Sequence, residues 1–167
     1  GRQQGNTTWI SQEKQRSRCR RRWTPITGGI IMGTRSTTTI WEHDGGDGQG
    51  LGTPILSFYR QYDGYPQGHG KELFEFLDGR KVGNGIKADS PPKFANGMGC
   101  LAAQIVSHFK GDRAGDFYLY ASGTRDVGEQ YIYKIYFTEE TLMIKISNMY
   151  DDDESFDGTI NEFGEWL

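Results

Sequence analysis

The sequence predicts an α+β fold, an antiparallel sheet of about five strands with two helices on one face, in the order β-β-α-α-β-β-β-α. Three observations lead there. Runs with the period-2 character of strands gather towards both ends of residues 35–167, helical stretches lie between them, and the β-α-β alternation that builds parallel sheets is missing.

Arg35 to Glu42 (RSTTTIWE) is rich in threonine and aromatic residues, and Pro54 to Gln61 (PILSFYRQ) follows a stretch of Gly and Asp, which predicts a strand, a loose loop and a second strand. Gly70 to Leu77 places Leu73, Phe74, Phe76 and Leu77 on one broad face, a short amphipathic helix. Residues 78–96, punctuated by Gly, Pro, Asn and Asp, read as a long loop. Gly97 to Phe109 aligns Leu101, Ile105 and His108 on one stripe and Ala102, Val106 and Phe109 on the next, the clearest helix in the chain. Phe117 to Ala121, Tyr131 to Phe137 and Thr141 to Ser147 alternate as strands, the last two joined across Thr138-Glu139-Glu140 as a tight hairpin. Thr159 with Glu162 three residues on has the form of a capping box, opening a final helix that carries Ile160, Phe163 and Trp166.

With 167 residues, 35% of them hydrophobic and 25% charged, the chain has the make-up of one globular domain that needs neither disulfides nor a structural metal to fold. Cys19 and Cys100 sit in unrelated contexts, which reads as two free thiols in a reducing compartment. No apolar run approaches the roughly 20 residues that span a bilayer, and the basic N-terminal cluster has no apolar signal core after it. The expectation is a cytoplasmic protein with no membrane partner.

Residues 1–31 stand apart. They carry a net charge of +6, from Arg2, Lys14, Arg16, Arg18, Arg20, Arg21 and Arg22 against Glu13, whereas residues 32–167 carry −9. One reading is a disordered basic arm that binds nucleic acid or an acidic partner through charge. The other is translated leader sequence ahead of a start at Met32: Gly28-Gly29-Ile30-Ile31 can be encoded by a bacterial ribosome-binding site followed by AT-rich codons, and Met32 opens directly onto the first strand. The expected domain is therefore 32–167, and nucleic-acid binding depends on whether the arm belongs to the protein.

The densest polar cluster runs from Tyr59 to Lys71, where a strand ends and a helix begins. A glycine-rich loop at a helix N-terminus presents free N–H groups, and Arg60, His69 and Lys71 would add charge for an anion, although neither a P-loop nor a dinucleotide fingerprint is present. The bland reading is a tight turn whose glycines set backbone angles. Asn96-Gly97-Met98-Gly99-Cys100 is a second glycine-rich helix entry. Cys100 there is either a thiol activated by a helix N-terminus or a small residue facing the sheet. Gly-Thr-Arg occurs twice, at 33–35 and 123–125, so Arg35 and Arg125 could clamp a carboxylate or phosphate, or pair with Asp63, Asp126 or Glu129. Tyr118, Tyr120, Tyr131, Tyr133 and Tyr136 interleave with Arg60, Lys134 and Lys145, the make-up of a single-stranded nucleic-acid platform, which a net charge of −9 opposes. Asp151-Asp152-Asp153-Glu154 lacks the spacing of a calcium loop, His43 and His108 have no partners by spacing, and neither a metal site nor a cofactor fingerprint is read.

The strings Met32-Gly33-Thr34-Arg35-Ser36, YRQYDGYPQGHGKEL from Tyr59 to Leu73, NGMGCLAAQ from Asn96 to Gln104 and GTRDVGEQYIY from Gly123 to Tyr133 resemble a family of small uncharacterised proteins of tailed bacteriophages and large DNA viruses. The resemblance covers nearly all of residues 32–167. It implies a viral or prophage origin and a start at Met32, and it supplies no activity, fold or ligand.

The leading expectation is a virus-encoded accessory protein, not an enzyme, that binds a host protein or a small anionic ligand through Arg35, Arg60, Asp63, His69, Lys71, Asn96 and Arg125 and uses no cofactor. The competing one is a small hydrolase or transferase acting on a phosphorylated metabolite, with His69 as general acid/base. A pocket joining His69 to at least two of Arg35, Arg60 and Arg125 favours the enzyme; side chains that point apart or pair with acids remove its basis.

Overall fold

The computed structural model describes residues 33–42, 52–86, 89, 91–138 and 141–167; the segment 1–31 with Cys19, the start at Met32, His43 and the hairpin residues Glu139 and Glu140 lie outside the described residues. In chain order the elements are β1 (Ser36–Trp41), β2 (Pro54–Arg60), α1 (Lys71–Leu77), β3 (Lys81–Gly83), β4 (Phe94–Asn96), α2 (Gly97–Lys110), β5 (Phe117–Tyr120), β6 (Tyr131–Thr138), β7 (Thr141–Asn148), β8 (Phe156–Thr159) and α3 (Ile160–Trp166). Six strands form one sheet in the order β5-β2-β1-β6-β7-β8, while β3 and β4 make a separate parallel pair.

The fold is α+β, as predicted, but the sheet is mixed and larger than the antiparallel five strands expected. β1 runs parallel to β6 at its centre, with Thr38 beside Tyr133, and every other neighbour is antiparallel. Alternation reports that a segment is a strand and not which distant strand it meets, so the parallel contact between β1 and β6 was invisible to it. β8 (FDGT) has a single large apolar residue, and β3 and β4 are three residues each inside the predicted 78–96 loop, too short to show a period.

All three helices of the predicted order form, and all three, rather than the two expected, cover the same face. Leu73 and Leu77 of α1, Leu101 and Ile105 of α2 and Phe163 of α3 bury against Ile40, Phe58, Tyr133, Ile135, Ile144 and Ile146 of the sheet. Burying each such side chain contributes about 1.5–3 kcal/mol relative to leaving it in water. The predicted capping box at α3 is present: the Thr159 hydroxyl accepts from Glu162 N–H at 3.3 Å, and the Glu162 carboxylate accepts from Thr159 N–H at 2.8 Å.

The opposite face carries no described helix. Since β5 lies at one edge and β6 beyond β1, the connection 121–130 must pass over β2 and β1, and it does so on this side, where Gly123 N–H donates to Ser57 Oγ at 2.9 Å. Thr37, Thr39 and Ser57 are consequently buried although they face away from the helices. Among the described residues no helix is long and apolar enough to cross a membrane.

Candidate functional site

The Tyr59 to Lys71 cluster folds inwards. After β2 the chain turns through Asp63 in the left-handed region (φ 54°), which a short polar side chain tolerates. A Cβ on Gly64 would lie 2.7 Å from the Ser36 backbone nitrogen, so this glycine is required by the close approach of the loop to the start of β1. Gly64 C=O accepts from the Tyr133 hydroxyl at 2.8 Å, Asp63 C=O accepts from His69 N–H at 2.7 Å, and one π-helical turn, Pro66–Gly70, feeds α1. The glycines of this loop shape the backbone rather than open it to a ligand.

His69 is fully buried. Its Nδ1 lies 3.0 Å from Arg60 Nη1 and its Nε2 lies 2.9 Å from Thr38 Oγ1. A guanidinium can only donate, so Nδ1 accepts and the ring proton sits on Nε2, donated to Thr38. The imidazole edge meets the rings of Tyr133, Phe109 and Phe58 at 5.1, 5.4 and 5.7 Å. Burial first, and the Arg60 charge second, hold its pKa well below 6.5, so the ring is neutral. Burial opposes the charge on Arg60, and Glu72, which takes the guanidinium in a two-pronged pair, together with Asp116 at 3.8 Å, more than restores it. The anion site expected here is filled by the protein's own carboxylates, and the His69 side chain is closed off from solvent.

The other predicted residues separate. Lys71 is exposed at the start of α1, and Asn96 is exposed before α2, where its Oδ1 accepts from Gly85 N–H at 2.7 Å. Cys100 is half-buried, with Gln104 Nε2 at 3.6 Å from its sulfur, whereas His69 is bonded to Arg60 and Thr38. Of the three His candidates, His108 packs its ring on Phe76 at 4.7 Å.

Arg35 and Arg125, the two Gly-Thr-Arg arginines, do come to one face, the one without helices. Gly128, in the crossing segment, sits against Arg35: a Cβ there would be 3.2 Å from Nη1. Arg35 also acts electrostatically on Tyr59, a residue of the same face. Among the described residues neither arginine lies within ion-pair distance of a carboxylate, so the pairing with Asp63, Asp126 or Glu129 is not formed. Glu129 is buried and accepts instead from the N–H groups of Asp126 and Val127, at 3.2 and 2.8 Å, which pins the crossing segment.

Arg125 acts electrostatically on Lys134, which lies directly opposite Lys145 across β6 and β7. Desolvation, then Arg125, then Lys145 lower the Lys134 pKa, against a single carboxylate, Asp157, that is already bonded to Lys145 at 2.7 Å and to the Tyr136 hydroxyl at 2.6 Å. The Lys134 ammonium lies 5.9 Å from the Trp41 ring. Arg125 Nη1 and Trp41 Nε1 are both buried donors with no acceptor among the described residues. Like charges directly opposite on a sheet destabilise it, and buried donors normally find acceptors, so this corner carries an unmet demand for negative charge.

The expected tyrosine and basic platform divides. Tyr131, Tyr133 and Arg60 turn towards the helices, while Tyr118 and Tyr120 cluster on Tyr59 at 6.2 and 5.7 Å on the opposite face. Sequence reasoning missed Trp41, Thr38 and Glu72. The period of β1 could have placed Trp41 on the same side as Thr39, and Glu72 lies in the first turn of the helix that follows Arg60. Three open grooves of about 310, 550 and 340 Å³ are lined by none of the seven predicted binding residues. Among the described residues no three His, Cys, Asp or Glu side chains are grouped to hold a metal ion. Compared with known proteins, the chain matches no family model, no curated protein and no solved structure.

Proposed function

We propose that this chain is a virus-encoded accessory protein without catalytic activity that binds a small anionic ligand, a phosphate or carboxylate group, at the corner formed by Arg125, Lys134 and Trp41. The observations that carry the reading are two buried donors without an acceptor among the described residues, Arg125 Nη1 and Trp41 Nε1, of which Arg125 acts electrostatically on Lys134 and the Trp41 ring lies 5.9 Å from the Lys134 ammonium, in a domain that is otherwise acidic. An anion there would relieve the repulsion between Lys134 and both Arg125 and Lys145.

The competing hydrolase or transferase reading loses its support in the same comparison. Its acid/base, His69, is enclosed between Arg60 and Thr38, and its phosphate-holding arginines lie on opposite faces of the sheet. A host-protein partner has less in its favour than a small anion, because Arg125 Nη1 and Trp41 Nε1 are buried and a protein surface would not reach them.

The test is calorimetric titration of the full chain with inorganic phosphate and with citrate. Binding that weakens about tenfold or more in Arg125→Met and in Lys134→Met, and is unchanged in Lys71→Met, is the expected result, since one charge-assisted hydrogen bond is worth about 1.5–3 kcal/mol. Binding of neither anion, or loss of binding in Lys71→Met alone, overturns the proposal.

A further inference from the structure

β5 is an edge strand whose free side is almost closed. Gln61 N–H donates to Asp116 C=O at 2.9 Å, and in an antiparallel ladder the direction of the backbone groups alternates. Tyr118 and Tyr120 therefore turn their N–H and C=O towards β2, and Phe117, Leu119 and Ala121 turn theirs outwards. Phe117 N–H is taken by Gly115 C=O at 2.7 Å, and Phe117 C=O accepts from Lys110 Nζ at 3.1 Å. Ala121 C=O accepts from Thr124, from N–H at 3.1 Å and from the hydroxyl at 2.6 Å. Among the described residues Leu119 alone in this strand keeps both an outward N–H and an outward C=O without a backbone partner. Its side chain is also 54% exposed, between Tyr118 at 42% and Tyr120 at 39%.

We infer that this opening receives a second copy of the chain, the two β5 strands meeting antiparallel about a twofold axis at Leu119. The choice of occupant follows from the number of open groups. An extended peptide from another protein adds to a sheet edge through alternate residues, and here both outward groups of Phe117 and the outward carbonyl of Ala121 on either side of Leu119 are already taken. A twofold contact needs only one residue: Leu119 N–H donates to Leu119 C=O of the second copy, and the reciprocal bond closes the pair. In that register Tyr118 faces Tyr120 of the second copy, so the exposed rings cover one another on one side of the sheet and the two leucines meet on the other. The sheet then continues through both copies with neither β5 edge left open.

Sedimentation equilibrium of the full chain tests the contact. The expected mass rises with concentration from 18.9 kDa towards twice that value. Leu119→Pro, which removes an N–H that no strand of its own chain uses, holds the mass at the monomer value with the circular dichroism spectrum unchanged. Independently, in a Cys19→Ser, Cys100→Ser background, Leu119→Cys forms a disulfide-linked dimer under mild oxidation and Tyr118→Cys does not, because a hydrogen-bonded pair holds its Cα atoms about 5.5 Å apart, inside the range a disulfide spans. A monomer at the highest soluble concentration overturns the inference. So does a dimer that survives Leu119→Pro or cross-links equally through Tyr118→Cys. If Leu119→Pro fails to fold, the two cysteine variants decide the question.

Discussion

Replacing His69 with alanine removes an imidazole that is packed against three aromatic rings and bonded at both nitrogens. Truncating a buried Phe or Trp to Ala costs about 3–5 kcal/mol, and the smaller, more polar imidazole scales that to about 2–3 kcal/mol. Arg60 keeps Glu72 after the change, so its loss is small, whereas the Thr38 hydroxyl loses its donor inside the core, adding about 1 kcal/mol. The expected destabilisation is about 3–4 kcal/mol, read as a lower midpoint in guanidinium unfolding of the full chain at unchanged slope. The same group sets a pH dependence. Unfolded, His69 takes up a proton below about pH 6.5, and folded it resists doing so, so the unfolded state binds more protons and stability falls as the pH drops below that value. The slope from this one site is about 1.4 kcal/mol per pH unit, and it disappears in His69→Gln, which cannot titrate. A destabilisation under about 1 kcal/mol, or a slope between pH 6.5 and 5.5 identical in His69→Gln, would refute the buried, neutral assignment.

Gly64→Ala drives a methyl group to 2.7 Å from the β1 backbone and should cost more than about 2 kcal/mol in thermal or chemical unfolding, because backbone at both sides must move. Gly99→Ala, by contrast, meets nothing within 4 Å at an exposed helical position and should raise stability by about 0.5–1 kcal/mol without altering phosphate binding; a loss of binding there would return the glycine-rich entry to α2 to consideration as a ligand cradle. Thr159→Ala removes the hydroxyl of the capping box and should cost about 1 kcal/mol, with hydrogen exchange accelerated in α3 and not in α2.

What the sequence made legible was local. The 97–109 helix, the 131–147 hairpin and the Thr159 capping box all rest on contacts between residues close in the chain, and each is present within a residue or so of its expected bounds. The parallel meeting of β1 and β6 depends on residues more than ninety positions apart, and no pattern within either strand encodes it. The candidate site was partly readable. Arg60 shares its strand face with Phe58, and extending the apolar stripe of Leu73 and Leu77 back by one turn lands on His69, so the period already argued that both point into the core. Charge and glycine content pulled the expectation outwards instead. The convergence of Arg125 with Lys134 required knowing that the chain crosses from one edge of the sheet to its middle over the helix-free face, which is a matter of strand order and not of composition.

A long-range proton–nitrogen correlation spectrum of the imidazole rings shows whether His69 is a structural histidine, as the proposed binding function requires, or a group available for acid/base chemistry. Three histidines contribute signals, and His69→Gln identifies which belong to His69. A neutral ring protonated on Nε2, with shifts that do not move as the pH falls from 8 to the edge of the unfolding transition, is the predicted result. A ring protonated on Nδ1 would overturn its acceptance from Arg60, and one that titrates near 6.5 in the folded protein would overturn its burial.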